Sequence, residues 1–495
     1  MSDITELPDL AARRLGGMVL AANDEFFAPK ENLIAPEPPT FDPHRYTDRG
    51  KEMDGWETRR RREPGHDWCV VRLGVPGIVR GVVVDTSFFR GNFPDRCSLE
   101  GLVADDDDSA FDHDAPWQSL LAETPLEGDA RNEFAIDGGG QVTHLRLNIH
   151  PDGGVARLRV HGEPLPDLRR LVSRAGEADL ALIANGGLVI GASDTFFASP
   201  HNLTTVGDAR DMSDGWETRR RRGPGHDWAI VRLAAEADID RVEVDTTNYK
   251  GNHPDTCSVE ACVASGDRSV ESAEWFEVLP SARLRPHARH LSDVSGAGGP
   301  ATHVRLNIHP DGGVARLRVH GRVTDRGWRQ WGTRWLNAEP AARCEAELLR
   351  CCGSNAWAQR IAAGRPYASF DDVLAAADRE WNALGPDDWL KAFAAHPRVG
   401  ERSAEGWSRA EQESTANAPV EVLSALEEGN RRYEERFGHV FLVNATGKSA
   451  QGMLEALHER MANDPDTELR VAAEEQRAIT RLRLEKLVRP PGSGG

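Results

Sequence analysis

Cysteine is scarce in this chain, and its scatter excludes two classes of protein. Seven cysteines (Cys69, Cys97, Cys257, Cys262, Cys344, Cys351 and Cys352) make an odd count, form no Cys-x-x-Cys pair and include two neighbours. That fits neither a disulfide framework nor a thiolate zinc site. Long apolar runs are missing too. Nothing reaches the roughly 18 residues of a membrane-spanning helix, and the opening MSDITELPDLAARR holds no apolar core of signal-peptide length. A soluble, cytoplasmic protein is the expectation. Basic charge is in deficit, 60 Lys and Arg against 79 Asp and Glu, for a net charge of −19. No nucleic-acid or membrane partner is expected, and an anionic substrate has to be met by a local cluster of arginines.

What the chain does have is repetition. DGWETRRRREPGHDW at 54–68 returns as DGWETRRRRGPGHDW at 214–228, 160 residues on. VDTSFFRGNFPDRCSLE at 84–100 returns as VDTTNYKGNHPDTCSVE at 244–260, and THLRLNIHPDGGVARLRVHG at 143–162 returns almost unchanged at 302–321. VLAANDEFFAPKENL at 19–33 matches VIGASDTFFASPHNL at 189–203, so the first copy carries about ten extra residues near 35–47. Two homologous domains follow, at 15–162 and 185–321. The intervening EPLPDLRRLVSRAGEA, with two prolines, reads as a linker. Within each copy, runs such as WCVVRL, VRGVVVDT and VTHLRLNI lie between Gly, Pro, Asn and Asp turns. This is the pattern of an all-β sandwich of jelly-roll type.

Past Trp328 the texture changes. AEPAARCEAELLRCCG, DDVLAAADREWNAL, PDDWLKAFAAH and the segments after them place apolar residues at helical spacing, so 328–488 is expected to be an all-α domain. Ser369 reads as an N-cap, and RPPGSGG as a disordered tail. Three polar signals interrupt the amphipathic pattern. HPRVGE at 396–401 puts a proline directly after a histidine, which exposes the imidazole at a helix end. SRAEQ follows at 408–412, and Arg481 and Arg483 stand among apolar neighbours in the last helix. Taken singly, each has a plain structural reading: a capping histidine, a Ser408–Glu411 capping box, an exposed helix charge.

Taken in order, together with LLRCCGSNAWAQRI, the Asn430–Tyr433–Phe437–Gly438–Phe441 spacing and the closing RLRLEKL, they resemble the OHCU decarboxylases. That family acts on 2-oxo-4-hydroxy-4-carboxy-5-ureidoimidazoline (OHCU). The resemblance implies His396 as general acid/base, with Glu411 and Arg483 completing the catalytic set. It places substrate contacts at Pro397, Ser408, Arg409, Ala410 and Gln412, and at Phe441, Leu442, Val443, Asn444 and Ala445. Chemistry agrees. Loss of CO₂ leaves a carbanion that the adjacent imine or carbonyl delocalises and that is protonated on one face, giving S-allantoin. A histidine titrating near neutrality carries that proton, an arginine fork holds a planar carboxylate or ureido group, and no cofactor is needed.

The tandem stretches DGWETRRRR…GHDW, VDT…GNxP and RLNIHPDGG resemble allantoicase, itself a tandem of two such domains. The resemblance implies hydrolysis of allantoate to ureidoglycolate and urea. Its residues are harder to sort, because motifs shared by both copies serve either the fold or two equivalent sites. Gly55, Trp56, Trp68, Gly91 and Pro94 read as turn formers and core aromatics. If the arginine runs 59–62 and 219–222 lie in strands, alternation sends two to each face, one pair for a carboxylate and the other for Glu57 or Asp67. The chemical candidates are Glu57, Arg59, Arg60, His66, Asp67 and His150, and in the second copy Glu217, Arg219, Arg220, His226, Asp227 and His309. A general acid for the leaving urea and a base for water suffice. A divalent metal held by His66, His150 and Asp67 is the open alternative, although no short His-x-His or Glu-x-x-His spacing supports it. Small-molecule substrates and a homo-oligomer are expected. A competing reading makes the β repeats a non-catalytic binding or oligomerisation scaffold for the decarboxylase.

Overall fold

A computed structural model describes residues 3–173, 176–396, 418–445 and 448–490. The chain divides into two compact units, Met1–Trp328 and Arg329–Gly495. The first is built of strands and short 3-10 turns, the second of helices, the layout expected from the sequence.

Each repeat is organised by one 19-residue strand, Asp67–Asp85 in the first copy and Asp227–Asp245 in the second. Its length lets it serve two layers. In the first copy its opening half lies between Met18–Ala22 and Gln141–His150. After a register shift beyond Arg72 its closing half pairs with Arg157–Pro164 and Arg131–Ala135. Arg96–Leu102 and Gln118–Pro125 extend the order beyond Gln141–His150. All these pairings are antiparallel, so alternate side chains face inward. Val71, Leu73, Val75 and Val79 meet Leu145, Leu147, Ile149, Leu158 and Val160 around the fully buried Trp56.

The repeats interlock through the stretch read as a linker. Glu163 and Pro164 still belong to a strand of the first repeat, while Glu177–Asp179 pairs with Arg316–Val323 of the second. Just past that strand, Ile183 packs into the core of the first repeat. In return, the N-terminal segment reaches the second: Arg14 donates to Asn202, and the buried His201 Nε2 donates to the Glu6 carbonyl at 2.7 Å.

The described helices are α1 (Asp325–Ala338), which begins before the division, and in the second unit α2 (Ala341–Cys351), α3 (Asn355–Ala363), α4 (Phe370–Asn382), α5 (Pro386–Ala394), α6 (Val420–Phe437), α7 (Ala450–Arg460) and α8 (Pro465–Leu487). Ser369 caps α4 as expected, its Oγ accepting from the Asp372 amide. Helix α8 starts on Asp464 as N-cap with Pro465 in its first turn. It buries a polar stripe of Glu468, Gln476, Thr480 and Arg483. Glu468 is satisfied by Arg460 at 2.6 Å, by Asn463 at 2.7 Å and by the Tyr433 hydroxyl.

Candidate active sites

In both repeats the structure joins two histidines that the sequence holds far apart. His66 and His150 place their ring centroids 4.7 Å apart, and His226 and His309 place theirs 4.6 Å apart. Strand alternation explains what surrounds them. Arg146, Asn148 and His150 are spaced by two and share one face of a strand, opposite Ser98 and Glu100 on the neighbouring strand. His150 Nε2 lies 3.1 Å from Ser98 Oγ. Glu100 accepts from Arg146 at 2.7 Å and from Asn148 at 2.9 Å. The second copy reproduces the set: Glu260 accepts from Arg305 at 2.6 Å and Asn307 at 2.7 Å, and His226 donates to Asn307 Oδ1 at 3.2 Å. Burial, and then the charge of His66, lower the pKa of His150; the same causes act on His309 through His226. Burial alone would raise Glu100, but the Arg146 and Asn148 hydrogen bonds hold it below the ordinary carboxylate range.

Beside Glu100 opens a cavity of about 430 Å³, walled by Trp68, Trp117, His113 and Arg146. The Arg146 guanidinium stacks 4.8 Å over Trp117, as Arg305 does at 4.6 Å over Trp275. Ser98, Glu100, Trp117, Arg146 and Asn148 were not singled out in the sequence, although each recurs in the second copy.

The arginine runs behave differently from a strand. Residues 59–62 lie in irregular backbone, so the predicted two-and-two division by strand face does not occur. They divide by hydrogen bonding instead. Arg59 is held by Asp24 at 2.6 Å and Arg61 by Asp67 at 2.6 Å; Arg219 and Arg221 repeat this with Asp194 and Asp227. Arg60, Arg62, Arg220 and Arg222 are exposed and form no ion pair among the described residues. Arg59 and Arg219 are therefore committed to aspartates, and Arg61 carries the pairing with Asp67. The same loop is anchored by the Arg61 amide on Asp152 at 2.9 Å. Gly153 beside it, at φ +141, would bring a Cβ within 2.7 Å of the Pro94 nitrogen, so only glycine closes this turn.

The proposed metal set does not converge. Asp67 points inward to Arg61 and to Asn23 at 2.8 Å, away from the histidine beside it in sequence. No group of three His, Cys, Asp or Glu suited to a metal occurs among the described residues. Glu57 is also set apart from the histidines. It pairs in register with Gly154 and accepts from Asn92 at 2.6 Å, as Glu217 does from Asn252.

In the helical unit, His396 follows the end of α5, its amide bonded to the Phe393 carbonyl. Its Nδ1 lies 3.5 Å from Arg483 Nη2, across 87 residues of sequence. The imidazole is partly buried rather than exposed, and its Nε2 is buried without a hydrogen-bond partner among the described residues. Burial, then the Arg483 charge, push its pKa down to about 3, well below the near-neutral value expected. Arg481 turns away to Asp378 at 2.6 Å. Pro397, Ser408, Arg409, Ala410, Glu411 and Gln412 lie outside the described residues. In the segment 441–445, the side chains of Phe441, Leu442 and Val443 are buried in the core, and Arg460 stacks 4.7 Å over Phe441 while donating to the Leu442 carbonyl. Only Asn444 and Ala445 are partly exposed there.

Among the described residues no helix is long and apolar enough to cross a membrane. The family model for the allantoicase repeat matches residues 8–165 and 178–324, and that for OHCU decarboxylase matches 337–485. A protein of Nocardia farcinica named "Probable allantoicase" is 50% identical over 322 residues, covering 64% of this chain and 95% of its own length. The one of Streptomyces coelicolor is 45% identical over 336 residues, covering 65% and 87%. The crystal structure of allantoicase from Saccharomyces cerevisiae, 34% identical, covers 63% of this chain and 92% of that chain with a TM-score of 0.54. The chain belongs to the allantoicase family and continues into an OHCU decarboxylase domain, so that two enzymes of purine catabolism share one polypeptide.

Proposed function

We propose that each β repeat hydrolyses allantoate at its histidine pair, and the pairing of two histidines in both copies is the observation that carries the reading. Allantoate bears a carboxylate and two ureido groups on one carbon. Arg60 and Arg62, unpaired on the loop that leads into His66, receive the carboxylate. His150, kept neutral by burial, takes a proton from water as the oxygen bonds to that carbon. His66 supplies a proton to the departing ureido nitrogen, so the C–N bond breaks and urea leaves with ureidoglycolate behind. Glu100, Asn148 and Ser98 position these rings, and the cavity lined by Trp117 and Arg146 accommodates the retained ureido group. His226, His309, Arg220 and Arg222 do the same in the second copy. No step in this scheme calls for a metal. Urea release is the test. Loss of about 100-fold or more in kcat is expected for His150→Ala combined with His309→Ala, with each single variant keeping part of the rate. Full activity in the double variant would remove the histidines from the mechanism.

For the helical domain we propose that a neutral His396 accepts the 4-hydroxyl proton of OHCU as the bond to the carboxylate breaks. The electron pair passes into the adjacent ring imine, whose nitrogen takes a proton from solvent, and the hydroxyl proton is returned to carbon on one face as the hydroxyl carbon becomes a carbonyl. Arg483 binds the departing carboxylate, and Glu411 assists the proton transfer. His396→Ala is expected to abolish stereospecific allantoin formation with the helical fold intact; undiminished decarboxylation would overturn the assignment. A reducing, cytoplasmic setting suits the chain, because all seven cysteines are buried as free thiols.

A further inference from the structure

The insertion that distinguishes the first repeat from the second builds a cleft outside the histidine site. Its segment is tied down by Arg157 to the Glu37 carbonyl at 3.0 Å and by the Thr40 amide to Asp54 at 2.9 Å. It ends in a short hairpin, Tyr46–Thr47 with Gly50–Lys51. Phe41 of the insertion stacks on Phe88, ring centroids 5.7 Å apart and planes at 21°. With Phe27 these rings wall a cleft of about 400 Å³ whose polar groups are Glu57, Asn92, Lys51 and Arg90. That volume is within the range of small-molecule sites. Glu57 Oε1 accepts from Asn92, and its other oxygen has no partner among the described residues. Burial raises the Glu57 pKa against that hydrogen bond. Lys51 lies 5.1 Å over the Phe41 ring.

The second copy keeps the glutamate–asparagine pair and a cation, Lys250, at the place of Arg90, but loses Lys51 and the Phe41–Phe88 stack. At the positions 160 residues on, Lys51 becomes Asp211 and Phe88 becomes Asn248, and Phe41 has no counterpart. Phe197, the equivalent of Phe27, is left 58% exposed. A half-buried carboxylate acceptor, flat aromatic walls, and the cations Lys51 and Arg90 (whose Nε also donates to Asp129 at 2.9 Å) select a planar N–H donor joined to a carboxylate.

We propose that this cleft is a binding site, present only in the first repeat, for a small ureido acid whose carbamoyl N–H groups bond Glu57 and whose carboxylate faces Lys51 and Arg90. It shares no lining residue with the histidine pairs, and it stands or falls separately from them.

The experiment titrates N-carbamoylglycine, which has no aminal carbon to hydrolyse, into the full chain carrying His66→Ala and His226→Ala together with Arg60→Ala, Arg62→Ala, Arg220→Ala and Arg222→Ala, so that neither histidine site keeps the arginines proposed to hold a carboxylate. Calorimetry is expected to show one site per chain. Adding Glu57→Gln, or separately Phe41→Ala at the mouth of the cleft, is expected to weaken binding about ten-fold or more, the loss of one charge-assisted hydrogen bond or one stacking wall. Glu217→Gln is expected to leave it unchanged, and glycine, which offers an ammonium in place of the planar carbamoyl group, to bind about ten-fold more weakly. Absence of binding, two sites per chain, or equal losses from Glu57→Gln and Glu217→Gln would overturn the proposal. So would loss of allantoate turnover in Glu57→Gln as complete as in the histidine variant, since the cleft would then be the catalytic centre. Full urea release by the histidine variant would overturn the catalytic reading and leave this one standing.

Discussion

His201 offers a quantitative test of how the β repeats are held together. The residue is 8% exposed, its Nε2 donates to the Glu6 carbonyl, and its Nδ1 is buried with no acceptor among the described residues. A second proton on this ring would sit in a site that cannot solvate it, with Arg14 adding like charge. Burial and then Arg14 lower its pKa to about 4. The sign follows from linkage. An unfolded chain binds this proton below about pH 6.5 and the folded one only below about pH 4, so stability is fully present above 6.5 and is lost as pH falls toward 4. The full window is worth about 3 kcal/mol, most of it gone by about pH 4.5. The perturbation is His201→Gln, whose amide keeps a donor for Glu6 and takes up no proton. Hydrogen exchange of the amides around 200–205, followed by mass spectrometry from pH 7.5 to 4.5, compares the two proteins in the full chain. The wild type is expected to lose about 3 kcal/mol of protection relative to the variant over that range. Parallel pH profiles would refute the assignment of His201 as a buried neutral ring at this junction.

Three further outcomes are expected. Arg60→Ala and Arg62→Ala combined with Arg220→Ala and Arg222→Ala should raise KM for allantoate roughly ten-fold at nearly constant kcat, the signature of lost ground-state binding; a change confined to kcat would contradict the carboxylate role. Because burial depresses His150, the acid limb of kcat/KM for urea release should lie below pH 6.5, where the ring gains its proton and ceases to act as a base; a limb above 6.5 would argue for a different base. Glu468→Gln should cost about 3 to 5 kcal/mol in the helical unit by leaving the Arg460 charge buried and unmatched, measurable as a lower urea midpoint of the helical signal by circular dichroism.

Much of the fold was legible because period and repetition are one-dimensional signals. The 160-residue recurrence gave two domains, and the change from alternating to helical spacing past Trp328 gave a third texture. The histidine pairs were only half legible. His66 and His150 stood out as types, but nothing local joins residues 84 positions apart, and antiparallel pairing across the sheet does. Glu100, Arg146 and Asn148 escaped because polar residues at alternate strand positions read as an ordinary solvated face. Their spacing by two, ending on His150 and repeated in the second copy, was the available signal. The strand reading of the arginine run failed because Asp24, Asp67 and Asp152, scattered over more than a hundred residues, hold that loop in an irregular path. The low pKa of His396 depends on Arg483 and on burial, neither of which a motif encodes.

The mutual insertion at the junction of the repeats bears on how this tandem can be taken apart. Each half keeps a piece of the other: Ile183 completes the first core, and the N-terminal segment occupies the face of the second that carries His201 and Asn202. A cut within 165–176 therefore separates two polypeptides that both miss a buried partner. Such halves should be poorly soluble alone and recover when co-expressed, as complementing fragments do, so the duplicated unit behaves as a covalently tethered heterodimer rather than as two beads on a string.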